Sequence, residues 1–99
     1  MIRGTTPKLE FTLPFEVATL TDCYVTLAQN DTVIVEKCLT DCQCDGKTLV
    51  ARLTQEETLK LDCDCNTEIQ IRAKTAMGEA IASDIFMVDT GRILKDGVI

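Results

Sequence analysis

The sequence predicts an all-β protein, an immunoglobulin-like β-sandwich of about seven strands with one short helical crossover. Three observations predict it. Apolar residues alternate with polar ones in segment after segment, turn signals fall every ~8–12 residues, and a single helix-start signature interrupts the pattern. The 99 residues form one domain with one core, burying roughly 60–68% of the unfolded chain's surface. Residues 1–7 read as an N-terminal arm and 91–99 as an apolar C-terminal tail.

Each element follows from its residues. Leu9, Phe11 and Leu13 alternate with Lys8, Glu10 and Thr12 until Pro14 ends the run, so 8–14 reads as a half-buried strand. Cys23, Val25 and Leu27 alternate with Tyr24, Thr26 and Ala28 in a second strand. Gln29-Asn30-Asp31 is a turn cluster, and Thr32–Lys37 completes a hairpin. Asp45-Gly46 is the best two-residue turn signal and joins strands at 39–44 and 47–53. Thr54-Gln55-Glu56-Glu57 then fits a capping box, and two acids suit the positive end of a helix over 55–61. Alternation returns at 67–75, where Ile69, Ile71 and Ala73 face one way and Glu68, Gln70, Arg72 and Lys74 the other. After Met77-Gly78-Glu79, residues 80–88 read as one long final strand.

Composition narrows the function. The chain carries 16 acidic and 10 basic residues, a net charge of −6, and its lysines and arginines are scattered singly. Phosphate neutralisation needs clustered cations, so neither nucleic acid nor an anionic membrane is an expected partner. No apolar run reaches the ~18–20 residues that span a bilayer, and the N-terminus has no apolar block resembling a secretion signal. Synthesis in a reducing cytoplasm is expected. There is no histidine to serve as a base, and Ser83 is the only serine, so neither a cysteine nor a serine nucleophile finds its partner. The five glycines are dispersed and form no phosphate-cradling loop. The expectation is a protein without catalytic residues and without a cofactor.

The six cysteines admit three readings. Cys42 and Cys44 share a strand face, Cys63 and Cys65 would do the same if extended, and four thiolates could close a tetrahedral zinc site if the segments met. C-x-C is tighter than the usual metal-ligand spacing, however. Disulfides or redox switching form a second reading, and a disulfide within either C-x-C would be strained. Cysteine as a small, burial-prone hydrophobe is the reading the pattern favours, with Cys23 and Cys38 in strands on that account.

The tail Gly91–Ile99 is apolar where a terminus is usually polar. Ile93, Leu94, Val98 and Ile99 either cover the end of the sandwich or dock on a neighbouring subunit by strand addition. Several segments carry a likeness to a known group: Arg3-Gly4-Thr5-Thr6-Pro7, Ala28-Gln29-Asn30, Leu53-Thr54-Gln55-Glu56-Glu57-Thr58-Leu59, Glu68-Ile69-Gln70-Ile71-Arg72, Ala82-Ser83-Asp84 and Asp96-Gly97-Val98-Ile99. Over nearly its whole length the chain resembles short structural-type proteins of tailed phages and prophages of anaerobic Gram-positive bacteria. The C-x-C pairs are no part of that likeness. The resemblance implies a virion component of tail, baseplate or head surface, held by contacts with other virion proteins or with copies of itself. A phage-encoded regulator that binds a host protein through its acidic face is the alternative, and a thiolate zinc module a third.

Overall fold

Period-two alternation becomes, in three dimensions, two antiparallel sheets that turn their apolar faces toward each other. The computed structural model describes all 99 residues. Its elements are β1 (Lys8–Thr12), β2 (Leu20–Gln29), β3 (Thr32–Cys38), β4 (Cys42–Asp45), β5 (Thr48–Arg52), the one-turn helix α1 (Gln55–Leu59), β6 (Thr67–Thr75), β7 (Ala80–Ala82) and β8 (Phe86–Val88). The first sheet has the order β1-β5-β4. The second has the order β3-β2-β6-β7, with β8 also paired to β6. Leu49 and Ala51 from the first sheet, Leu53 just beyond it, and Cys23, Val25, Leu27, Ile69, Ile71 and Ala73 from the second sheet belong to one buried cluster. The register explains the shared face, since Cys23, Val25 and Leu27 stand opposite Ala73, Ile71 and Ile69.

The turns carry the chemistry their geometry demands. Asn30 and Asp31 join β2 to β3, both with positive φ (49° and 64°), the type I′ pattern that matches strand twist. The β4–β5 turn is Gly46-Lys47, one residue later than Asp45-Gly46, because Asp45 still pairs with Thr48. Gly46 takes the positive φ of 58° at the first turn position. The capping box forms as the sequence predicts: Thr54 Oγ1 accepts from the Glu57 amide at 3.1 Å, and Glu57 Oε1 accepts from the Thr54 amide at 2.9 Å. The helix stops at Leu59 rather than running to 61.

Two segments depart from the sequence reading. Residues 39–41 form a 3-10 turn, so the strand expected at 39–44 begins only at Cys42. The strand expected at 80–88 breaks into β7 and β8. Arg72 pairs with Ala82 and Ile69 with Phe86, so three residues on the outer strand oppose two on β6. One residue is extra, a bulge that reverses which side chains face the core. It keeps both Ile81 and Phe86 on the inner side, opposite Ala73 and Ile69.

The N-terminal arm is bound to its own domain. Ile2 makes a parallel bridge to Gly91, the Arg3 amide donates to the Gly91 carbonyl at 3.0 Å, and the Gly91 amide donates to Met1 at 2.7 Å. Arg3 Nη2 donates to the Leu59 carbonyl at 2.9 Å, and Thr58 Oγ1 donates to the Thr5 carbonyl at 2.8 Å.

Candidate docking site

The flank where β1 borders β7 and β8 is open. β1 pairs with β5 alone, and β7 and β8 pair with β6 alone. Each sheet therefore ends there in an edge strand. Between the two edges runs an apolar groove of about 380 Å³, lined by Leu9, Phe11, Leu13, Ile69, Ile71 and Phe86 and bordered by Glu10, Thr12 and Ser83. A continuation over Pro14, Phe15, Ala73 and Ile81 extends it along the flank. Next to it Ile85, Phe86 and Met87 are 56%, 51% and 63% exposed, three consecutive large apolar side chains on a protein surface. Clustered exposed apolar groups mark contact surfaces more often than isolated ones do.

Short edge strands make this groove. β7 and β8 each contribute only three residues, too few to cover the inner side chains of β6. At the break between them, Ser83 substitutes for a strand partner. Its amide donates to the Ile71 carbonyl at 2.9 Å, and its Oγ accepts from the Ile71 amide at 3.1 Å.

The main chain along β1 is available for pairing. The Leu13 amide donates to Lys47, and the Leu53 amide donates to Pro7. In that antiparallel register the odd-numbered residues of β1 exchange bonds with β5. The amides and carbonyls of Lys8, Glu10 and Thr12 then point to the open edge. No protein-family model, curated protein or solved structure matches the chain.

The structure separates the four cysteines that a zinc site would need. Cys42 and Cys44 stand opposite Ala51 and Leu49, on the inner side of edge strand β4. Cys42 Sγ donates to the Cys38 carbonyl at 3.4 Å, and Cys38 pairs with Tyr24 in the middle of β2. Cys63 and Cys65 lie in a turn beyond α1, where the Cys65 amide donates to Asp62 and Asn30 Nδ2 donates to Cys65 Sγ at 3.0 Å. Asn30 follows the far end of β2, so the two pairs are roughly 20 Å apart along that strand. The turn breaks the expected extended geometry because Asp62 Oδ1 accepts from the Asp64 amide at 2.8 Å, closing an Asx-turn. The one convergent set of metal-type ligands is Asp62, Cys63 and Asp64, within 4.8 Å of one another. It offers one sulfur where structural zinc sites use two to four.

All six thiols are free, and burial disfavours the thiolate at two of them. Burial, with Cys42 and Cys44 nearby, pushes the Cys23 thiol up to about 11. Burial also raises Cys42, assisted by Cys44 and Asp41. A buried cysteine with a raised pKa is an inert packing residue. Cys38 Sγ donates to Asp41 Oδ2 at 3.1 Å, and that bond, with the one from the Cys38 amide, lowers the Asp41 carboxyl.

The tail residues divide. Ile93 leans on Gly4 and the arm, its Cδ1 only 3.0 Å from where a Gly4 side chain would begin. Gln55 grips Ile99 through its main chain, accepting from the Ile99 amide at 2.8 Å and donating to its carbonyl at 3.2 Å. Leu94, Val98 and Ile99 keep 92%, 53% and 89% of their surface exposed. Sequence reasoning pointed to this tail and missed the groove. The signal for the groove was the run Ile85-Phe86-Met87, which is apolar on both strand faces.

Proposed function

We propose that this chain is a non-enzymatic structural subunit of a tailed-phage particle, an immunoglobulin-like sandwich that works by docking. The open flank carries this reading: two unpaired strand edges over an apolar groove form a surface built to be covered. A strand added to such an edge gains main-chain hydrogen bonds and seats alternate side chains in the groove. The exposed Leu94, Val98 and Ile99 supply a second contact. Multi-copy assembly from two such surfaces is how a virion lattice or ring is closed. The resemblance in Arg3–Pro7, Leu53–Leu59 and Asp96–Ile99 supplies the particle. Cys23 and Cys42 fit a packing role, because burial pushes both away from the thiolate form that a nucleophile needs.

The test is the composition of particles. Prophage induction in the source strain, density-gradient purification and quantitative mass spectrometry should find the chain in a fixed multi-copy ratio to the major capsid protein. Its absence from purified particles, with the protein left in a small complex in the lysate, would overturn the virion reading in favour of a regulator.

A further inference from the structure

The open edge of β1 has a charge pattern that is complementary to itself. Lys8 and Glu10 lie on the outer face and are exposed, while Leu9 and Phe11 line the groove. Within the chain Lys8 Nζ and Glu10 Oε1 are 3.9 Å apart, at the limit of an ion pair, with 47% and 60% of their side chains exposed. So loose a pair contributes little in place and leaves both charges free for a partner.

We infer that β1 pairs antiparallel with β1 of a second copy about a two-fold axis at Leu9, setting Lys8 of each chain opposite Glu10 of the other. The inference rests on the reading of this flank as a docking surface and names what covers it. Five symmetric registers centred on β1, with axes from Lys8 to Thr12, join even-numbered residues to even-numbered residues as the edge main chain requires. An axis at Lys8 sets two lysines face to face, and one at Thr12 sets Glu10 against Pro14, which has no amide to give. An axis at Glu10 sets two carboxylates face to face, which is destabilising. An axis at Phe11 sets Glu10 against Thr12 and leaves Lys8 without a partner. An axis at Leu9 alone makes two opposite-charge pairs. It also places Pro7 opposite Phe11, where the amide that proline lacks would have pointed at β5 rather than at the partner.

The pairing joins the two three-stranded sheets into one continuous sheet with both apolar faces on the same side. Leu9 of one copy meets Leu9 of the other on the groove face, where directly opposed side chains pack closely. Each copy thereby narrows the groove of its neighbour and covers apolar surface around Phe11 and Phe86. A two-fold dimer uses the same patch on both subunits and closes on itself.

Sedimentation equilibrium and native mass spectrometry across a concentration series test the pairing, with circular dichroism to confirm folding. The wild-type chain should dimerise. Lys8→Glu and Glu10→Lys should each weaken dimerisation at least about tenfold, because each sets like charges opposite one another. The double swap should restore it to near the wild-type level, since the opposite-charge pairs return with their ends exchanged. Glu10→Pro should give a folded monomer, because it removes an amide that faces the partner and is not used in pairing with β5. A wild-type chain that stays monomeric at high concentration overturns the inference. So does a dimer that tolerates both single swaps, or a double swap no better than either. Failure here combined with stoichiometric incorporation into particles would mean that a different virion protein covers the flank, leaving the docking role intact.

Discussion

Gln29 shows what a single residue does for the far end of the domain. Buried at the end of β2, it accepts from the Asp62 amide at 2.8 Å through Oε1 and donates to the Asp62 carbonyl at 2.8 Å through Nε2. That side chain mimics a strand partner and holds the Asp62–Cys65 turn against the core, beside the buried hydroxyl pair of Thr67 and Thr90. Nothing in a turn cluster written Gln-Asn-Asp distinguishes the buried amide from its exposed neighbours, because the partner lies 33 residues away. The capping residue Glu57 was legible as a cap but not as an ion-pair partner. Lys37 points inward from the edge strand β3, opposite the buried Val25, and its Nζ lies 2.7 Å from Glu57 Oε1. Burial pushes the Glu57 carboxyl up, but Lys37 and the Thr54 amide pull it further down, and it ends below its ordinary value of 4.5. A carboxyl lowered on folding stabilises the protein above its unfolded pKa, and that contribution fades as pH falls through the folded value. Glu57→Gln should therefore cost up to about 1 kcal/mol at neutral pH, within the range for a partly exposed pair. Urea unfolding of both proteins at neutral pH and near pH 3 checks this, and a gap that does not shrink in acid would refute the ion-pair account.

At the scale of elements, the long alternating strands were legible and the short edge strands were not. β6 buries Ile69, Ile71 and Ala73 in strict alternation, so local pattern and tertiary role agree. The 80–88 segment holds Ile81 and Phe86 on one side, five positions apart, and an odd interval contradicts an unbroken period of two. That parity conflict was the available sign of a bulge. The cysteine pairs failed for a related reason: i and i+2 share a face only in extended chain, and the Asx-turn at Asp62 removes that condition at Cys63 and Cys65. The bulge depends on Ser83, whose Oγ satisfies the Ile71 amide where the ladder is interrupted. Ser83→Ala leaves that amide without its partner beside a buried side chain, which should cost about 1–3 kcal/mol. Ser83→Thr keeps the acceptor and should cost less. Hydrogen exchange at the Ile71 amide, faster in the alanine variant and protected in the threonine variant, is the direct readout. Equal protection in both would show that water or a shifted chain replaces the hydroxyl.

At the scale of the whole molecule, the groove could not be read from any segment, since it is set by where strands stop on two different sheets. The two sheets close their shared core well at Leu27, Leu49 and Leu53, all at most 2% exposed. They leave one flank and one tail uncovered. These two surfaces make different demands on the fold. The members of the core cluster all precede residue 74, and the tail holds to the domain through the Ile93 contact with Gly4 and the grip of Gln55 on Ile99. Removing residues 92–99 should accordingly leave a cooperative fold with a melting temperature a few degrees lower, since about 1 kcal/mol shifts a domain of this size by roughly 4–8 °C. Dimerisation through β1 should survive, because no tail residue lines the groove. Incorporation into particles should fall sharply if Leu94, Val98 and Ile99 contact a neighbour. Thermal melts, sedimentation and particle composition of the truncated chain separate the roles. Loss of folding would make the tail a lid on the sandwich's end, and unchanged incorporation would remove it from the docking surface.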